Sequence, residues 1–120
     1  MSYGVKFKMR PNYLLVQFTG ELTTKNAFDS IERIRYEADQ KNYKLILLDL
    51  RGVTNLISEM TRFYAGEKIA NVFRHDYKIA VFMLNENINK LAETVALNRG
   101  ANFKVFDSEH EAIQWLTNKD

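Results

Sequence analysis

Residues 44–73 read KLILLDLRGVTNLISEMTRFYAGEKIANVF, and this stretch decides the fold. An apolar run from Leu45 to Leu50 is broken only by Asp49. A short polar loop, Arg51 to Asn55, follows, and a helix is predicted from Ser58 to Arg74. Strand, loop and helix in this order build α/β proteins. Leu45, Ile46, Leu47, Leu48 and Leu50 are nearly continuous rather than alternating, which predicts a central strand covered on both faces. Downstream, Ile79 to Leu84 repeats that signature, and Phe103, Val105 and Phe106 mark a third, shorter strand. Helical segments separate the three, so they are expected to be parallel, joined by right-handed crossovers. The intervening helix, Asn89 to Asn98, is expected to bury Leu91, Ala92 and Val95, with Gly100 as its stop. A last helix opens on Ser108-Glu109-His110-Glu111, a capping box, and turns Ala112, Ile113, Trp115 and Leu116 inward.

Upstream, Val5, Phe7 and Met9 alternate with Lys6, Lys8 and Arg10, the period of a half-buried strand. Arg10-Pro11-Asn12-Tyr13 supplies a turn. Leu14, Val16 and Phe18 then line a second strand, closing a hairpin. The three cations are read as the solvated face of an exposed strand, which also discourages edge-to-edge pairing, in preference to a phosphate or lipid patch. After Gly20, Thr23 or Thr24 caps a helix. Its Ala27, Phe28, Ile31, Ile34 and Ala38 form one apolar stripe, and Asn42 lies near its end. The predicted order is ββαβαβαβα: an α/β mixed sheet, an N-terminal hairpin followed by parallel strands with flanking helices, in a single domain spanning residues 1–120.

A chain of 120 residues suffices for one core, burying roughly 65–70% of the surface its unfolded form exposes. The net charge of +2 is too small to argue for nucleic acid. No cysteine is present, which removes disulfides, thiolate nucleophiles and Cys-ligated metals and accords with a reducing compartment. The opening MSYGVKFKMR lacks the apolar core of a signal peptide, and no apolar run reaches membrane-spanning length. A cytoplasmic protein is expected.

The helix beginning near Ser58 differs from the others. At about 100° per residue, Ala65, Ile69, Val72 and Phe73 share one side. Met60, Phe63 and Tyr64 fall on roughly the opposite side, joined by Leu56 and Ile57 if the helix starts early. A surface helix needs one apolar stripe. A second faces further core, another protein or copy of this chain, or a cleft for a small apolar or lipid-like ligand.

Known chemistry finds little purchase. The five glycines are scattered and form no phosphate loop, and no G-x-S-x-G elbow exists. His75 and His110 are the only histidines. His75 suits an exposed helix exit. His110-Glu111 lacks the second histidine of a zinc-protease helix, so no metal is expected. Asp49 stands at a strand end where α/β sheets place ligands, yet it equally suits bonding the amides of Arg51 to Asn55. Ser58 is a natural N-cap. A phosphate there is favoured by the free amides of the helix start; Arg62 lies one turn on, within reach, and Glu59 would repel it.

The residues FTGELT (18–23), LILLDLRGV (45–53), Ala65-Gly66, Ile69-Ala70, KIAVF (78–82) and ALNRGANFKVFDSEHEAIQWL (96–116) together resemble the SpoIIAA-like family of the STAS-like superfamily, the bacterial anti-sigma factor antagonist group. The likeness spans nearly the whole chain. It implies a mixed sheet flanked by helices and a non-enzymatic role with no cofactor. In the antagonists an Asp-Ser-Ser/Thr-Gly-like signature starts the corresponding helix, and its first serine is phosphorylated by a partner kinase. Here Ile57, Ser58, Glu59 and Met60 fall on that signature, and only Ser58 matches. The expected function is a non-catalytic protein-interaction module docking another protein, or a second copy of itself, through Leu56, Ile57, Met60, Phe63 and Tyr64. The alternative is a carrier of a small apolar ligand beside the same helix.

Overall fold

The computed structural model describes residues 3–84 and 90–118. The elements are β1 (Tyr3–Met9), β2 (Leu14–Gly20), α1 (Thr24–Gln40), β3 (Leu45–Val53), α2 (Glu59–Phe73), β4 (Lys78–Phe82), α3 (Leu91–Asn98), β5 (Asn102–Phe106) and α4 (Glu109–Thr117). The strands form one sheet in the order β1-β2-β3-β4-β5. Only the β1–β2 pair is antiparallel; β2–β3, β3–β4 and β4–β5 are parallel. The hairpin is thus not an appendage: β2 pairs with β3, and β1, with its lysines, is left as an edge.

Alternation along the strands sorts the apolar residues between two layers. Leu14, Val16, Phe18, Ile46, Leu48, Leu50, Ile79 and Val81 enter a large core with Ile31 and Ile34 of α1, Ile69 and Phe73 of α2, and Ala96 of α3. Leu15, Leu47, Ala80 and Phe82 face the other way, onto Ala112 and Leu116 of α4. Because the sheet winds steadily in one direction, crossovers of one hand put α1, α2 and α3 on one face. This is why the β3 sequence is apolar at consecutive positions: both of its faces are covered.

Helix ends follow the local chemistry. Thr23 Oγ1 accepts from Asn26 N at 3.1 Å, and Ser108 Oγ accepts from Glu111 N at 3.2 Å. Asn42, at φ 62°, turns the chain out of α1 in the left-handed region that asparagine tolerates. Gly100, at φ 94°, does the same after α3.

Several expectations shift. β3 runs to Val53, so Asp49 lies within the strand rather than at its end. β4 closes at Phe82; Met83 stays buried, and Leu84 is exposed. Helix α3 begins at Leu91, and the predicted start at Asn89 lies outside the described residues. It fully buries Val95 and Ala96, with Leu91 and Ala92 only half-buried.

Candidate functional site

The loop before α2 is held at both ends. Thr54 N donates to Gly20 O at 2.9 Å. The Asn55 amide brackets the Leu22 backbone, accepting from Leu22 N at 2.8 Å and donating to Leu22 O at 3.0 Å. Ser58 then caps the helix as expected, its Oγ accepting from Thr61 N at 3.1 Å. Ser58 Oγ also donates to Thr61 Oγ1, which lies 2.8 Å from Thr24 Oγ1, so the start of α2 is tied to the start of α1.

This anchoring splits the five apolar residues of the second stripe. Leu56 is 75% exposed, Met60 66%, Tyr64 41% and Phe63 36%. Ile57 is only 8% exposed and belongs to the large core. The structure therefore brings Leu56, Met60, Phe63 and Tyr64 to the surface around the first half of α2 and turns their neighbour inward. The Phe63 and Tyr64 rings meet edge to face at 5.4 Å. Arg99, just past α3, pairs with Glu67 at 3.1 Å and places its guanidinium carbon 5.8 Å from the Phe63 ring centre.

On its other side α2 buries Thr61, Arg62, Gly66, Ile69, Ala70 and Phe73. The expected stripe was only half of this: Ala65 and Val72 are half-buried. Arg62 is the larger correction. Spacing put it within reach of a phosphate on Ser58; instead it is 8% exposed and its Nε donates to Ile57 O at 3.0 Å. Burial pushes its guanidinium below the usual arginine range, opposed by the charge of Glu59. A buried arginine on a helix flanked by small and apolar residues has no signature in periodicity alone.

Beside this buried face lies a cavity of about 80 Å³, lined among others by Ile57, Arg62, Ile69, Met83, Lys90 and Phe103. Of the five stripe residues, Ile57 alone contributes to it. The cavity is thus on the core side of α2, separate from the exposed patch.

Asp49, 5% exposed, accepts from Arg51 N at 3.1 Å, as read from the loop chemistry, and from Arg51 Nη2 at 2.8 Å. Burial pushes its carboxyl up. Hydrogen bonds from the Arg51 side chain and backbone, the Arg51 charge and Gln17 more than offset this and leave it below the usual carboxylate range. Arg51 also covers the Phe82 ring at 4.6 Å. The His75 side chain is 83% exposed. Among the described residues no three His, Asp or Glu side chains gather as metal ligands. No helix there is long and apolar enough to cross a membrane.

No protein-family model matches the sequence, and no curated sequence does. Solved structures do match. An anti-sigma factor antagonist from Mycobacterium paratuberculosis superposes with a TM-score of 0.68 at 10% identity, over 98% of this chain and 96% of that one. An uncharacterised protein of the DUF3478 family with a SpoIIAA-like fold, from Shewanella loihica PV-4, gives 0.60 at 16% identity, over 95% and 93%. A serine-to-glutamate variant of RsbS from Moorella thermoacetica gives 0.58 at 12% identity, over 95% of each chain. These likenesses show the fold alone, a SpoIIAA-like fold as the sequence resemblance implied.

Proposed function

We propose that this chain is a non-catalytic regulatory module that docks a protein partner through Leu56, Met60, Phe63 and Tyr64. The observation that carries this reading is the simultaneous exposure of four large apolar side chains around one helix start. Exposed apolar patches with a polar rim mark interaction sites, and aromatic residues with methionine are enriched in the centres of interfaces. Ile57 serves the same surface from beneath, by fixing the loop that presents Leu56. The fold is shared with an anti-sigma factor antagonist, a protein named for its action on another protein. A bacterial cytoplasm is the setting this reading takes.

The test is a photo-crosslinking residue at position 63, carried by the full chain in its native cells. A discrete protein adduct at position 63, missing when the crosslinker stands at Lys6, is expected; Phe63→Glu placed beside a crosslinker at position 64 removes it. A folded protein giving no adduct, or only the adduct of two copies of this chain, overturns docking to a distinct partner. Ser58 acts in this reading as an N-cap, so S58E leaves the adduct unchanged. Loss of the adduct in S58E would make Ser58 a phosphorylation switch instead.

The cavity of about 80 Å³ beside α2 favours a second reading, a carrier of a small apolar ligand. Native mass spectrometry of the purified protein tests it: a copurifying small mass is expected, and a bare polypeptide counts against it.

A further inference from the structure

The two edges of the sheet are finished differently. At β5 the outward backbone of Val105 is occupied by α3 and the residue before it. Its N–H donates to Glu93 Oε1 at 2.7 Å, and its carbonyl accepts from Lys90 Nζ at 3.2 Å. β1 has no such cover. Arg10 N donates to Tyr13 O at 3.1 Å across the turn. Bonded and non-bonded pairs alternate along an antiparallel ladder. Counting back from that bonded pair, Lys8, Lys6 and Gly4 bond β2, while Val5, Phe7 and Met9 turn their N–H and C=O groups outward. Among the described residues nothing bonds those outward groups. Sheet edges are commonly blunted by short strands, prolines, bulges or covering segments. β1 runs for seven residues without proline and pairs with β2 in an unbroken register. Its backbone is a complete template for one more strand.

The side chains of β1 select what can join it. Val5 and Phe7 lie half-buried against the large core, and Met9 beyond them is 62% exposed. Lys6 and Lys8 alternate with these onto the opposite face and are exposed. Across β2 they meet Gln17 and Leu15, neither of them charged. Among the described residues no carboxylate pairs with either lysine. Full-length antiparallel pairing of two copies would set Lys6 opposite Lys6, and like charges directly opposite are destabilising. We propose that β1 accepts an extended acidic segment of another protein as a sixth strand. Its acidic residues lie beside Lys6 and Lys8, and the apolar residues between them extend the layer of Val5, Phe7 and Met9. In strand addition main-chain hydrogen bonds supply affinity and alternate side chains supply specificity. The two lysines therefore bar self-pairing and admit the opposite charge. This surface shares no residue with the exposed patch of α2.

The experiment titrates the full wild-type chain with three end-blocked peptides, following backbone amide resonances and hydrogen exchange. The peptides are TEVEVET, its basic counterpart TKVKVKT, and TEVEVET with its inner amides N-methylated. TEVEVET is expected to shift the Val5, Phe7 and Met9 amides saturably and to slow their exchange. It binds about tenfold tighter than TKVKVKT, because each lysine meets an opposite charge in place of a like one. The N-methylated peptide does not bind. The double variant K6E/K8E reverses the preference, and the wild-type comparison decides even if that variant does not fold. Equal affinities for the acidic and basic peptides overturn the charge selection. Equal binding of the N-methylated peptide overturns strand addition. Shifts confined to Leu56–Tyr64 place the peptide on α2 and overturn the site. Protection of Val5 and Phe7 that rises with protein concentration alone makes a second copy the occupant. No saturable response to any peptide overturns the proposal and leaves Lys6 and Lys8 as guards of the edge.

Discussion

Arg51 doubles back along its own strand to hold Asp49, with Nη2 2.8 Å from Oδ2 and Nε 3.1 Å from Oδ1. The carboxylate is nearly buried and the guanidinium lies half in solvent over Phe82. Because the folded carboxyl titrates below its unfolded value of about 3.9, its contribution is complete above that pH. It is lost as pH falls through the lower folded value. In R51M the buried carboxylate loses its partner and its desolvation dominates. R51M is therefore expected to lose about 1–2 kcal/mol at pH 7, a range reduced for the solvent exposure of Arg51. The gap to wild type narrows as pH drops below about 4. Urea unfolding at pH 7 and pH 3.5 measures both; a gap that widens in acid contradicts this account.

Leu56 and Ile57 are adjacent in sequence and opposite in environment, 75% and 8% exposed. Ile57→Ala removes buried methyl groups at the edge of the cavity and is expected to cost about 3 kcal/mol. Leu56→Ala is expected to stay within about 0.5 kcal/mol of wild type. Chemical denaturation of the two variants side by side checks the division between core and surface on which the proposed docking site stands.

Gly66 marks the contact of α2 with α3. A Cβ there would lie 2.8 Å from Ala92 O and 3.0 Å from Val95 Cβ. In an isolated helix alanine would gain about 1 kcal/mol over glycine. Overpacking against a backbone oxygen costs about 1–3 kcal/mol. G66A is thus expected to lower the melting temperature despite its better helix propensity, and a thermal melt that rises instead would show α3 free to move away.

Ser58 caps α2 through Thr61 N. Ser58→Ala is expected to destabilise by about 1 kcal/mol, and Ser58→Asp, also a good cap, to recover most of it. Thermal melts of both variants separate loss of the cap from loss of the hydroxyl chain through Thr61 to Thr24; no recovery in S58D would assign the effect to that chain.

Much of this fold was legible because its signals are local. The unbroken apolar run at Leu45–Leu48 announced a strand covered on both faces, and the structure divides that run between two core layers. Thr23, Ser58 and Ser108 each cap the helix that their spacing indicated. Periodicity also showed that α2 carries two apolar sides. It could not tell Leu56 from Ile57, because their difference comes from the Asn55 bracket on Leu22, a contact 33 residues apart in sequence. Nor could it place Arg62 in the interior, since a long charged side chain is expected outside.

The sequence by itself determined the elements of the described residues, their order and the parallel run from β3 to β5, because each depends on the period and capping of a few neighbouring residues. Only the tertiary structure decided that β2 joins that run, that Leu56, Met60, Phe63 and Tyr64 stay uncovered around one helix start, and that Arg62 is buried. Those outcomes depend on which distant segments pack together, and burial is a property of that packing rather than of any residue alone.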